Sequence, residues 1–97
     1  MEQQPGKQIN IELGDAEAEG IYSNLVLISH SPAEFVFDFT RVLPGKAKTK
    51  VYSRIIMAPQ HAKSLLGALQ ENIKKYEAEF GDVKVHGMPG KDKSIGF

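Results

Sequence analysis

The chain has 97 residues, 41% hydrophobic and 25% charged, with twelve Lys plus Arg balanced by twelve Asp plus Glu. That length holds one domain with a core near the lower limit for independent stability, and zero net charge gives no global field to draw in nucleic acid or an anionic membrane. Cysteine is absent, which excludes disulfides, thiolate zinc ligation and a thiol nucleophile.

Met1 to Lys7 is polar with one proline and is expected to be a flexible arm. The opening MEQQPGKQINIEL lacks the apolar core of a signal peptide, and no apolar run approaches the roughly 20 residues of a membrane span. A cytoplasmic location is therefore expected. Gln8 to Leu13, QINIEL, places Ile9, Ile11 and Leu13 on one side and predicts a half-buried strand. Gly14 to Gly20, GDAEAEG, reads as an acidic loop with room for a short helical turn.

Ile21 to Ser29, IYSNLVLIS, has strand composition with apolar groups on both faces, as in a strand covered on both sides. His30 to Ala33 then turns around Pro32. Glu34 to Leu43, EFVFDFTRVL, is the strongest strand signal, with Phe35, Phe37 and Phe39 on one face and Val36, Asp38 and Thr40 on the other. Pro44-Gly45 opens an exposed connection, and Lys50 to Met57, KVYSRIIM, returns as a strand. A turn near Gly45-Lys46 sets Phe37 opposite Ile55, Phe35 opposite Met57, Asp38 opposite Arg54 and Val36 opposite Ile56. Matched charges and matched apolar groups on the two faces agree on this register.

Pro59 to Phe80 carries the clearest period. Ala62, Leu65, Leu66, Leu69, Ile73, Tyr76 and Phe80 fall within an arc about 100° wide on a 3.6-residue helix. Pro59 suits the first turn and Gly81 the left-handed position after the last. Such a helix runs roughly 33 Å. The spacing of Leu66, Leu69, Ile73, Tyr76 and Phe80 also matches a helix–helix seam, although packing on the sheet is the simpler reading. Beyond it, Val83 and Val85 suit a brief edge strand, and residues 82–97 read as a largely disordered tail.

The predicted fold is α+β: an antiparallel β-meander of three to four strands, then one long C-terminal helix packed on the sheet, in a single domain over residues 8–81. Leu25 and Leu27 are expected to join the phenylalanines under the helix. Tyr22, Val26, Ile28, Val36, Asp38, Tyr52, Arg54 and Ile56 are then left as a candidate interface on the far face. One helix cannot cover both faces of a sheet, so a homodimer is expected.

Local chemistry is sparse. His30, His61 and His86 lie on different segments and form no metal-ligand spacing, so neither a metal nor a cofactor is expected. Ser29 and His30 are adjacent on a strand and point to opposite faces, which disfavours a nucleophile pair. Asp38 and Arg54 suit a structural ion pair better than a site, since a site brings several convergent polar groups. Arg41, Lys46, Lys48 and Lys50 form the one basic cluster. Phosphate contact is open to it, but lysines also decorate exposed hairpin tips, and the cluster itself holds no aromatic group for base stacking.

The segments EGIYSNLVLISHSPAEFVFDF, the PG turn, RIIMAPQHAKSLL and ALQENIKKYEAEFG resemble a family of small bacterial proteins, of the Bacteroidetes type, known only as a domain of unknown function. The resemblance spans Ala18 to Gly81 and brings no catalytic motif. The resemblance implies genes that often lie near those for the large RNA polymerase subunits, and with them a transcription-linked protein partner. In outline the chain is also similar to the export chaperone SecB, an analogy of fold alone. The expected function is non-enzymatic: a homodimeric protein-interaction or regulatory subunit, with nucleic-acid binding through the basic hairpin or SecB-like chaperoning as alternatives.

Overall fold

The computed structural model describes residues 8–85; the expected flexible arm, most of the expected tail and His86 lie outside them. Three strands, β1 (Leu25–His30), β2 (Phe35–Thr40) and β3 (Val51–Met57), form one antiparallel sheet in the order β1-β2-β3. A short helix α1 (Asp15–Glu19) precedes the sheet and a 22-residue helix α2 (Pro59–Phe80) follows it. This is the α+β meander and terminal helix that the periodicity predicts.

The β2–β3 hairpin has the expected register. Phe35 pairs with Met57, Val36 with Ile56, Phe37 with Ile55 and Asp38 with Arg54. The connection starts as a turn in which the Lys46 N–H donates to the Leu43 carbonyl at 3.2 Å. Pro44 supplies its fixed φ and Gly45 the positive φ of 79° that a type II turn needs. Towards this end the ladder slips: Phe39 pairs with Ser53 but Thr40 with Val51, leaving Tyr52 as the extra residue of a β-bulge.

The phase of β1 differs from expectation. Val26 pairs with Phe39 and Ile28 with Phe37, whereas Leu27 pairs with Asp38. Directly paired residues share a face, so Val26 and Ile28 lie with the phenylalanines. Leu25 and Leu27 take the face of Val36, Asp38, Arg54 and Ile56. Because both sides of IYSNLVLIS are apolar, hydrophobicity cannot choose between the two phases. Polar groups at the strand's start pin it. The Ser23 hydroxyl donates to the Thr40 carbonyl at 2.7 Å, and the Asn24 side chain brackets Val42, accepting from its N–H at 2.8 Å and donating to its carbonyl at 3.1 Å. Thr40 itself is 1% exposed and donates to the Leu25 carbonyl.

Two further expectations are corrected. Gln8 to Leu13 forms no strand, and Ile9, Ile11 and Leu13 stand in solvent. Alternation prepares a segment for a ladder, but a strand forms only where it pairs, and among the described residues this segment joins neither open edge of the sheet, β1 or β3. Val83 and Val85 likewise join no sheet.

Helix α2 starts at Pro59, after Ala58, with no side-chain cap. It ends at Gly81, whose φ of 99° is open to glycine at little steric cost and whose N–H donates to the Glu77 carbonyl at 3.0 Å. Its apolar stripe is not covered by the sheet. Only the first turns approach the phenylalanine face, and no residue of α2 is buried. Leu66 is 53% exposed, Tyr76 51% and Phe80 66%. The radius of gyration, 16.4 Å, compares with roughly 12 Å for a compact chain of this length. Among the described residues the only buried apolar side chain is Phe37.

Candidate functional site

Three places gather side chains able to hold a partner. The first is an apolar groove of about 520 Å³ between the phenylalanine face and the start of α2. Ile28, Phe35 and Phe37 form its sheet wall; Ala62, Leu65, Leu66 and Leu69 form its helix wall. At its end the His30 ring stacks on Phe35, with centroids 5.3 Å apart and planes at 26°, and Phe35 stacks in turn on Phe37. The opposite end of the same face is flanked by α1, with Ile21, Phe39 and Ile55 around a smaller depression.

The second place is the far face of the sheet. Arg54 grips Asp38 with two hydrogen bonds, Nε to Oδ1 at 2.6 Å and Nη2 to Oδ2 at 2.8 Å. The fork geometry suits a guanidinium and a carboxylate held directly opposite on paired strands. Hydrogen bonding from Arg54 and its charge keep the Asp38 carboxyl below its ordinary value, against the opposing effect of burial. Leu27 and Ile56 flank the pair and are 42% and 52% exposed. Of the expected interface, Val36, Asp38, Arg54 and Ile56 are thus together here. Val26 and Ile28 belong to the opposite face, Tyr22 precedes the sheet as an exposed side chain, and Tyr52 lies elsewhere.

The third place is the β2–β3 connection. Arg41, Lys46, Lys48 and Lys50, proposed from sequence as one cluster, do line one pocket, together with Leu43, Thr49 and Tyr52. The Arg41 guanidinium carbon sits 4.3 Å from the Tyr52 ring centroid and the Lys50 ammonium 4.9 Å from it, both at cation–π distance. The cluster therefore does contain an aromatic ring, contrary to the sequence reading. Tyr52 was missed because strand alternation assigns it to the far face, whereas the bulge takes it out of the ladder. The Arg41 side chain beside the phenol holds Tyr52 below its ordinary value; Lys50 and Lys46 add to this by charge, while burial opposes it.

The remaining candidates do not converge. Ser29 lies with Val36 and His30 with Phe35, on opposite faces. The Ser31 hydroxyl oxygen accepts from the N–H groups of Ala33 and Glu34, as its turn position predicts. His30 is across the sheet from the Asp38–Arg54 pair, so those three groups share no pocket. Among the described residues no three His, Cys, Asp or Glu side chains cluster as metal ligands. Among the same residues no helix is long and apolar enough to cross a membrane.

The described residues thus form a bare three-stranded meander followed by an exposed amphipathic helix. The family model described as "Protein of unknown function (DUF3467)" matches residues 1–85. The chain belongs to that family. No curated protein and no solved structure matches it.

Proposed function

We propose that this protein is a non-enzymatic binding subunit that works as a homodimer and engages another protein through the assembled form. The observation that carries this reading is the missing core: Phe37 is the only buried apolar side chain among the described residues. A lone chain of this kind withdraws too little apolar surface from water to offset the entropy of ordering its backbone.

A second copy is the occupant that suits the helix. At their observed exposures, Leu65, Leu66, Leu69, Ile73, Tyr76 and Phe80, each taken as roughly 200 Å² when fully exposed, present on the order of 600 Å² per chain. A stable interface takes roughly 800 Å² from each partner, a value approached once the exposed part of the groove's sheet wall, chiefly Ile28, is added. The helix also needs outside support. It lacks a side-chain N-cap and has no basic residue in its last turn, where Glu77 and Glu79 oppose the macrodipole. The unpaired alternating segment Gln8–Leu13 adds a third apolar surface, uncovered among the described residues.

With the helices used in assembly, the far face around Ile56, Leu27 and the Asp38–Arg54 pair remains for the other protein. A tagged chain used to capture partners from native lysate, at low and high salt, tests this. One protein recovered in stoichiometric yield at both salts, and lost with Ile56→Lys, is the expected result; RNA polymerase is the first to look for. Recovery of only the chain's own copies contradicts the reading.

A further inference from the structure

The charges that balance in sum are divided along the chain. Residues 39–70 hold six Lys or Arg and no Asp or Glu, which leaves six and twelve for the rest of the sequence. Arg54 is matched by Asp38. Four of the other five, Arg41, Lys46, Lys48 and Lys50, converge on one pocket of about 280 Å³ at the β2–β3 connection, and among the described residues no carboxylate lines it. Four cations gathered without a counter-charge repel one another, and the arrangement is relieved by an anion between them.

The pocket is more than a decorated hairpin tip. The bulge at Tyr52 turns its ring into the cluster, and the ring carries Arg41 on its π-surface. Thr49 ties the loop back, its hydroxyl donating to the Arg41 carbonyl at 2.6 Å. Held in this way, the Arg41 Nε is withdrawn from solvent and has no hydrogen-bond partner among the described residues. A buried N–H of a guanidinium without an acceptor is costly and calls for an explanation. The exposed lysines supply field; Arg41 supplies a directed donor.

We infer that this pocket is an oxyanion site that receives a phosphate group, with the Arg41 guanidinium as the fork and Lys46, Lys48 and Lys50 around it. Guanidinium matches phosphate oxygens two at a time, and ammonium groups serve it as point charges. The Tyr52 ring is already engaged by Arg41 and Lys50, so no free platform for a nucleobase is left. Recognition is of the phosphate and not of bases. Two sources offer this chemistry, the backbone of a nucleic acid and a free phosphate species. The pocket lies within one chain, so the inference stands apart from the dimer reading, and failure of either leaves the other untouched.

The test is an NMR titration of the full chain, following the Arg41 Nε–H signal and the backbone amides of residues 46–52. The probes are sodium pyrophosphate and an oligothymidine of about twelve nucleotides, each at constant ionic strength. Both are expected to move those signals. Oligonucleotide binding at least ~10-fold tighter than pyrophosphate, with a log–log salt slope near −3 for four contacts on a single strand, assigns the site to a nucleic-acid backbone. Equal or tighter pyrophosphate binding assigns it to a free phosphate species. The exposed triple variant Lys46→Glu, Lys48→Glu, Lys50→Glu is expected to lower affinity by at least ~10-fold while leaving the β1 and α2 amides in place. Arg41→Lys, which keeps the charge but removes the Nε–H, is expected to weaken binding more than Lys48→Ala. No movement of the Arg41 signal, equal movement with sodium chloride, or undiminished binding by the triple variant overturns the inference.

Discussion

Replacing Leu69 by alanine separates a helix that stands free from one that is covered. Leu69 sits midway along the stripe and is 53% exposed in the single chain. Burying a leucine completely is worth about 1.5–3 kcal/mol, so a side chain half in water contributes about 1 kcal/mol. Alanine is the best helix former, and the substitution leaves the backbone preference of α2 intact. If the chain acts alone, Leu69→Ala therefore lowers stability by about 1 kcal/mol. If a second copy covers the stripe, the loss is that of a core leucine, about 2–5 kcal/mol per chain and twice that per dimer. Urea unfolding of parent and variant at two protein concentrations a factor of ten apart reads both quantities. The expected result is the larger loss, with the parent stabilised by about 1.4 kcal/mol per mole of dimer at the higher concentration. A loss near 1 kcal/mol with a midpoint independent of concentration refutes the reasoning.

Gly67 lies on the polar side of α2 with open space where a Cβ would stand, so Gly67→Ala is expected to stabilise the protein by about 1 kcal/mol in the same assay; destabilisation would place another surface against that side of the helix. The Asp38 carboxyl, held below its ordinary value by Arg54, binds protons less readily folded than unfolded. The pair's contribution is therefore complete above the unfolded carboxylate pKa, near 4, and is lost as pH falls through the lower folded value. Asp38→Asn is expected to flatten that acid limb in pH-dependent melting, and an unchanged limb would deny the pair its role. Removing the polar lock with Asn24→Ala is expected to cost about 0.5–1.5 kcal/mol, the net worth of hydrogen bonds whose exposed Val42 partners water can reach, and protection of the β1 amides in hydrogen exchange should fall first.

What was legible in the chain tracks how many independent signals met at one place. The β2–β3 register rested on apolar pairs on one face and opposite charges on the other, and both hold in the structure. Helix α2 rested on seven side chains in one arc, a proline at its start and a glycine at its end, and its bounds are those expected. Strand β1 offered composition without phase, because leucine, valine and isoleucine fill both sides; Ser23, Asn24 and Thr40 decide the phase through backbone contacts that hydrophobicity does not report. QINIEL offered alternation, which fits a segment for pairing but does not bring it to the open edge of β1 or β3. The basic cluster was visible as a run of lysines, but its organising ring was not, since a one-residue bulge at Tyr52 leaves no mark on a two-residue period.

The most direct measurement is sedimentation equilibrium of the full chain at micromolar concentration, with circular dichroism on the same samples. The predicted result is a mass twice that of the 10.7 kDa chain, with helix and sheet signals that fade together as dilution dissociates it. A folded species of single-chain mass, unchanged by dilution, would contradict the claim that these exposed apolar faces are completed by a second copy.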